Sequence, residues 1–106
     1  MREFSAQQLK AHLDTCDEQP LLIDVRQPWE FDVCKIEDSV LIPMSRIPAE
    51  AQSLDAEREI VVICHHGIRS QQVIRYLLAQ TAAQLINLDG GVDAWAREVD
   101  SAMPVY

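Results

Sequence analysis

The sequence contains no long apolar run. Its most hydrophobic stretches, Leu21–Ile23, Val40–Pro43 and Ile60–Cys64, fall far short of the roughly 20 residues that a bilayer-spanning helix needs, which excludes a membrane span of that kind. Positive charge is also scarce. Nine Lys and Arg stand against 17 Asp and Glu, for a formal net charge of −8. A duplex-binding protein needs a basic face to neutralise phosphates, so nucleic acid is not an expected partner. The three cysteines include no CxxC pair, which fits a reduced cytosol better than an oxidised disulfide framework. Met1-Arg2-Glu3 leads into no apolar h-region, so no signal peptide is expected and a cytoplasmic location is. Internal repeats, low-complexity tracts and Ser/Gly linkers are missing too. With 106 residues, 48% of them hydrophobic and 25% charged, residues 1–106 read as one ordinary globular domain.

What is present alternates. Leu21–Val25, Val40–Ile42, Glu59–Cys64 and Gln84–Leu88 are short bursts of Leu, Ile and Val with little in/out alternation. Strands buried on both faces look like this, and such strands belong to parallel sheets. Between them lie helix-period segments. Ser5 is a candidate N-cap for Ala6–Leu13, and Pro28 can open a short helical turn through Phe31. Pro48–Leu54 is a further helical segment. Ser70–Gln80 carries Val73, Ile74, Leu77 and Leu78 on one stripe, and Gly91–Arg97 follows the turn Asp89-Gly90-Gly91. This order predicts a single α/β layered domain with right-handed crossovers.

The segment Glu59-Ile60-Val61-Val62-Ile63-Cys64-His65-His66-Gly67-Ile68-Arg69-Ser70 carries chemistry. A buried strand ends in cysteine, a short loop follows, and a helix begins. In open α/β sheets ligands bind beyond the carboxyl ends of the strands. There the loop N–H groups and the positive end of the helix make a nest for an anion. A thiolate is the reactive form of cysteine, and helix N-termini and nearby cations lower a thiol pKa from about 8.5 to roughly 3.5–7.5. Arg69 offers a fixed cation with a two-pronged donor, His65 and His66 offer charge only when protonated, and Gly67 suits a tight turn. The competing structural reading of Cys64 is an inert core thiol, because free cysteine is among the most buried residue types.

Cys64-His65-His66-Gly67-Ile68-Arg69-Ser70 resembles the active-site loop of the rhodanese (sulfurtransferase) family. Two flanking motifs agree: Leu22-Ile23-Asp24-Val25-Arg26-Gln27-Pro28-Trp29-Glu30-Phe31 is similar to the family's first signature, and Leu88-Asp89-Gly90-Gly91-Val92-Asp93-Ala94-Trp95 resembles its closing one. The match runs in order over about residues 4–97. The resemblance implies a single rhodanese-like domain, with about five parallel strands and helices on both faces of the sheet. It implies that Cys64 is the catalytic nucleophile, taking a sulfane sulfur from a small anionic donor such as thiosulfate and passing it on as a persulfide. His65, His66, Gly67, Ile68, Arg69 and Ser70 would then bind the donor. The expected acceptor is cyanide or a thiol, such as glutathione, a thioredoxin-like protein or a sulfur carrier. No metal or organic cofactor is implied. One segment departs from the family: Cys34-Lys35-Ile36-Glu37-Asp38-Ser39 stands where the pattern reads Gly-His-Ile-x-Gly-Ala, so a different backbone is expected there.

Two other functions compete. Cysteine-dependent phosphatases and arsenate reductases also place cysteine and arginine on a strand–loop–helix, but with five intervening residues rather than the four of His65–Ile68. Rhodanese-like domains that act only as binding modules typically lack the cysteine. A metal site built from Cys64, His65 and His66 is disfavoured, because adjacent residues seldom converge on one ion; two solvent-facing histidines are expected instead. Cys34 reads either as a resolving thiol for Cys64 or, preferably, as a small buried hydrophobe. Cys16 reads as an exposed, incidental thiol. Asp24, Arg26 and Glu30 read as a structural ion pair and helix cap, and Trp29 and Trp95 as core packing.

Overall fold

The computed structural model describes residues 1–106. Its chain order is β1 (Arg2–Phe4), α1 (Ala6–Thr15), β2 (Leu21–Asp24), α2 (Pro28–Val33), β3 (Val40–Leu41), α3 (Ile47–Glu50), β4 (Glu59–Ile63), α4 (Arg69–Leu77), β5 (Gln84–Leu88) and α5 (Gly91–Glu98). Five strands form one sheet in the order β1-β5-β4-β2-β3, every pair parallel. The α/β architecture and the five-strand parallel sheet are thus as expected.

The strand pattern explains the two-sided core. Along β4, Val61 and Ile63 face one way with Ile86 and Leu88 of β5, against Leu9 of α1 and Val92, Trp95 and Ala96 of α5. Ile60, Val62 and the following Cys64 face the other way, against Ile47 and Ala51 and the α4 stripe Val73, Ile74 and Leu77. Each of the Val, Leu and Ile side chains contributes about 1.5–3 kcal/mol by leaving water. α1 opens with the cap read from the sequence. Ser5 Oγ accepts from the Gln8 N–H at 3.1 Å, and the Gln8 side chain returns a bond to the Ser5 N–H at 2.8 Å.

Four expectations need correction. β1 has no counterpart in the apolar bursts, because Arg2-Glu3-Phe4 is an edge strand whose side chains stay mostly in solvent. The 48–54 helix is really a run of short pieces: a 3₁₀ turn over Met44–Arg46, α3, and a second 3₁₀ turn over Ala51–Ser53. α4 starts one residue early, at Arg69, its regular part stops at Leu77, and Leu78 of the expected stripe faces solvent. Trp29 is 61% exposed, packing edge-on against the Tyr106 ring rather than in the core. Trp95 is buried, as expected.

In the segment that departs from the rhodanese pattern, Asp38 takes φ +68°. This is the left-handed region that glycine fills freely and Asp tolerates better than most residues. The chain keeps a glycine-like turn there without the glycine. Cys34 lies in the α1/α5 core cluster and Cys64 in the α3/α4 cluster, so Cys34 packs as a buried hydrophobe. Cys16 is half-buried, with the Gln19 amide 3.3 Å from its sulfur.

Candidate active site

The chain leaves β2 toward β3 on one side and leaves β4 toward β5 on the other. The loops after β2 and β4 therefore flank the point where the winding reverses, which is where open parallel sheets bind ligands. Cys64 follows directly after β4 and is 1% exposed.

The loop wraps the sulfur. The Gly67 N–H donates to Cys64 Sγ at 3.0 Å, and Ser70 Oγ lies 3.3 Å from it. Gly67 has φ +92°, and a Cβ there would come within 3.0 Å of the Gly90 nitrogen and 3.1 Å of the Leu88 oxygen, so only glycine fits without strain. Two loop carbonyls point away from the sulfur, into the N-terminus of α5. The Val92 N–H donates to the Cys64 oxygen at 2.9 Å and the Asp93 N–H to the His65 oxygen at 3.1 Å. A Cβ on Gly91 would collide with both carbonyl groups. The first turn of α5, opened by Asp89-Gly90-Gly91, thus clamps the Cys64 loop by its carbonyls.

Arg69 sits on the first turn of α4, and its guanidinium is occupied. Its two terminal nitrogens meet the two Glu30 oxygens, each at 2.7 Å. Glu30 is buried and also accepts from the Gln27 N–H and from Tyr106 Oη, at 3.1 and 2.8 Å. The Arg69 bonds hold the Glu30 carboxyl down at about 2 despite its burial. The same pair pushes Arg69 above its ordinary value. The geometry therefore makes Arg69 a brace between α4 and α2, its charge balanced, rather than the free cation expected from the sequence. Arg26 braces the other side. It is fully buried, holds Asp24 through Nε and Nη2, and donates to the Cys34 oxygen and to Tyr106 Oη, both at 2.7 Å. Burial disfavours its charge, yet the bonds to Asp24 and Tyr106 outweigh that and hold the guanidinium above its ordinary value.

The histidines differ from the solvent-facing pair expected. His66 is exposed, but His65 is half-buried and stacks between the rings of His66 and Tyr106, each centroid 3.9 Å away. Burial first, and the neighbouring His66 second, push His65 below its usual imidazole value. It therefore stays neutral at neutral pH and adds no charge to the loop. Of the remaining loop residues, Gly67 and Ser70 are buried and Ile68 is 63% exposed. The site can favour an anion at the sulfur through the Gly67 N–H, which the backbone geometry fixes. Of the side chains expected to add charge, Arg69 is paired with Glu30 and His65 is held neutral by burial.

Sequence reasoning missed three contributors. Asn87 on β5 is fully buried and touches Ser70; a lone polar residue in Leu85-Ile86-Asn87-Leu88 was its visible sign. Tyr106 and the pairing of Glu30 with Arg69, 39 residues apart, have no local sequence sign.

The rhodanese-like domain family matches residues 5–98 of this chain. The chain belongs to the rhodanese-like family. A sulfurtransferase of Allochromatium vinosum is 37% identical over 98 residues, which cover 92% of this chain and 90% of that one. An adenylyltransferase and sulfurtransferase MOCS3 of Drosophila virilis is 34% identical, covering 81% of this chain but only 21% of that much longer protein. Among solved structures, a rhodanese-like domain protein from Staphylococcus aureus superposes with a TM-score of 0.84 at 30% identity, covering 93% of this chain and 95% of that one. The rhodanese-like fold is therefore shared over nearly the whole chain, and with it the sulfurtransferase class. No helix is long and apolar enough to cross a membrane.

Proposed function

We propose that this rhodanese-like protein moves a sulfane sulfur from a small anionic donor, thiosulfate or a persulfide, to a thiol or cyanide acceptor, with Cys64 as the carrier. The observation that carries this reading is the cysteine sulfur held in a loop whose Gly67 N–H points at it, at the N-terminus of α4. The Cys64 thiolate attacks the outer sulfur of thiosulfate. A new S–S bond forms, the old one breaks, and its electron pair leaves with sulfite. An acceptor thiolate then attacks the outer sulfur of the persulfide, and the Cys64 thiolate leaves. The Gly67 N–H favours each anionic stage without reorganising. In this reading His65, His66 and Ile68 meet the incoming donor, and with Gly67, Arg69 and Ser70 they form the donor-binding loop. The acceptor protein, if thioredoxin-like or a sulfur carrier, would meet the same rim. A reducing cytosol suits a carrier that must return to the free thiol, and the acidic balance of the chain argues against nucleic acid.

A phosphatase would need its loop arginine free to hold the equatorial oxygens of phosphate; here both terminal nitrogens of Arg69 are on Glu30. The test is to supply thiosulfate with cyanide, and separately an aryl phosphate, to wild type and Cys64→Ser. Thiocyanate production by wild type alone, with no phosphate release, is expected. Phosphate release that depends on Cys64 would overturn the assignment.

A further inference from the structure

Asn87 is a fully buried amide in an apolar strand, and the sulfur-transfer steps give it no task. Its neighbours fix which way it faces. Nδ2 lies 2.8 Å from Glu3 Oε2 on β1 and 3.3 Å from the Gly67 oxygen. A carboxylate and a backbone carbonyl can only accept, so the amide NH₂ must point at them and Oδ1 must point at Ser70. Ser70 Oγ and Asn87 Oδ1 are hydrogen-bonded to each other. Oδ1 has no hydrogen, so this bond uses the single hydroxyl hydrogen of Ser70. What Ser70 then turns toward Cys64 Sγ, 3.3 Å away, is a lone pair.

We propose that Asn87 is a positioning residue which, by claiming the Ser70 hydrogen, makes Ser70 an acceptor for the Cys64 thiol rather than a donor to its thiolate. The sulfur is then poised between opposed contacts. The Gly67 N–H favours negative charge, and the Ser70 lone pair favours S–H. When Cys64 ionises, Ser70 has two choices. It can leave a lone pair facing the thiolate, or it can rotate and leave Asn87 Oδ1 buried without a donor, which is costly in a low-dielectric core. Either way the relay opposes ionisation, and its outer end is anchored by Glu3.

The charged and titratable groups of the neighbouring elements are Arg69 of α4, paired with Glu30 of α2; His65 and His66 of the loop, with Asp93 of α5 beside them; Tyr106, bonded to Glu30; the buried Asp24–Arg26 pair at the end of β2; and Glu3 of β1 behind Asn87. All of them remain in the variants proposed here. The test reads the pH dependence of Cys64 alkylation by iodoacetamide, followed on the Cys64 peptide by mass. Ser70→Ala removes the acceptor for S–H and should move the midpoint down by about 0.4 pH unit, the scale of a weak S–H···O bond. Asn87→Leu releases the Ser70 hydrogen to the thiolate and should move it down by about one unit. In a Ser70→Ala background, Asn87→Leu should add nothing.

An upward shift with Ser70→Ala, or none, would mean that Ser70 does not act as an acceptor, and the proposal fails. Equal Asn87→Leu shifts in both backgrounds would also sink it, because Asn87 would then act through packing or field. Should Asn87→Leu not fold, the sign of the Ser70→Ala shift decides alone. The inference rests on Cys64 as the nucleophile, yet alkylation reads the thiol itself. A protein that alkylates as described but moves no sulfur would overturn the proposed activity and leave the relay standing.

Discussion

Replacing Glu30 by glutamine keeps the shape of the side chain and removes the charge that Arg69 grips with two 2.7 Å bonds. The size of the effect follows from linkage. The Glu30 carboxyl is lowered from 4.5 to about 2 in the folded protein. A folded value below the unfolded one means the contribution is fully present above about pH 4.5 and disappears as pH falls toward 2. At 1.36 kcal/mol per unit the shift corresponds to about 3 kcal/mol, and screening around the one-third-exposed Arg69 reduces this to about 2 kcal/mol. Urea unfolding followed by circular dichroism should therefore give Glu30→Gln a stability loss of about 2 kcal/mol at pH 7, out of the 5–15 kcal/mol typical of such domains. The loss should shrink to a small fraction of that by pH 2, where the wild-type carboxyl is about half protonated. A variant as stable as wild type at pH 7, or a gap that stays constant down the acid limb, would refute the view of this pair as the brace between α2 and α4.

Gly91→Ala puts a methyl group against the Cys64 and His65 carbonyls at φ +58°. It should cost about 2–4 kcal/mol in the same unfolding assay and slow Cys64 alkylation as the loop loses its clamp. Asp38→Gly relieves a left-handed aspartate at φ +68°, and a gain of about 0.5–1 kcal/mol should appear as a raised urea midpoint. The His65 imidazole, held down by burial and by His66, should titrate below 6.5 in proton NMR. Because its folded value is the lower one, its contribution to stability should fade as pH drops through 6.5 and below.

The order of strands and helices was legible because parallel strands covered on both faces need unbroken apolar runs, and Glu59–Ile63 and Gln84–Leu88 have them. β1 was not, because three residues at a sheet edge bury almost nothing and leave no pattern. The loop from Cys64 to Ser70 could be read because its parts are contiguous: strand end, glycine turn and helix start all show in one dozen residues. The charge state of that loop could not. Arg69 is neutralised by a glutamate from the other side of the β2–β4 junction, and His65 is desolvated by Tyr106, 41 positions along the chain. Such pairs are created by the sheet order, which no local spacing encodes. Trp29 was expected in the core for its size, yet it lies on the first turn of the short α2 and rests edge-on against Tyr106. Asn87 shows the opposite case, a sign present in the sequence as one polar residue in an apolar strand, whose meaning needed Ser70, Gly67 and Glu3 around it.

Sulfur transfer by this route requires Cys64 to become the sulfur carrier, and intact mass reads that in one step. Wild type and Cys64→Ser are incubated with thiosulfate, weighed, then given a thiol and weighed again. The account predicts a gain of one sulfur atom on wild type only, removed by the thiol. A folded wild type that gains nothing from thiosulfate or from a persulfide donor, or a gain that survives Cys64→Ser, would contradict it.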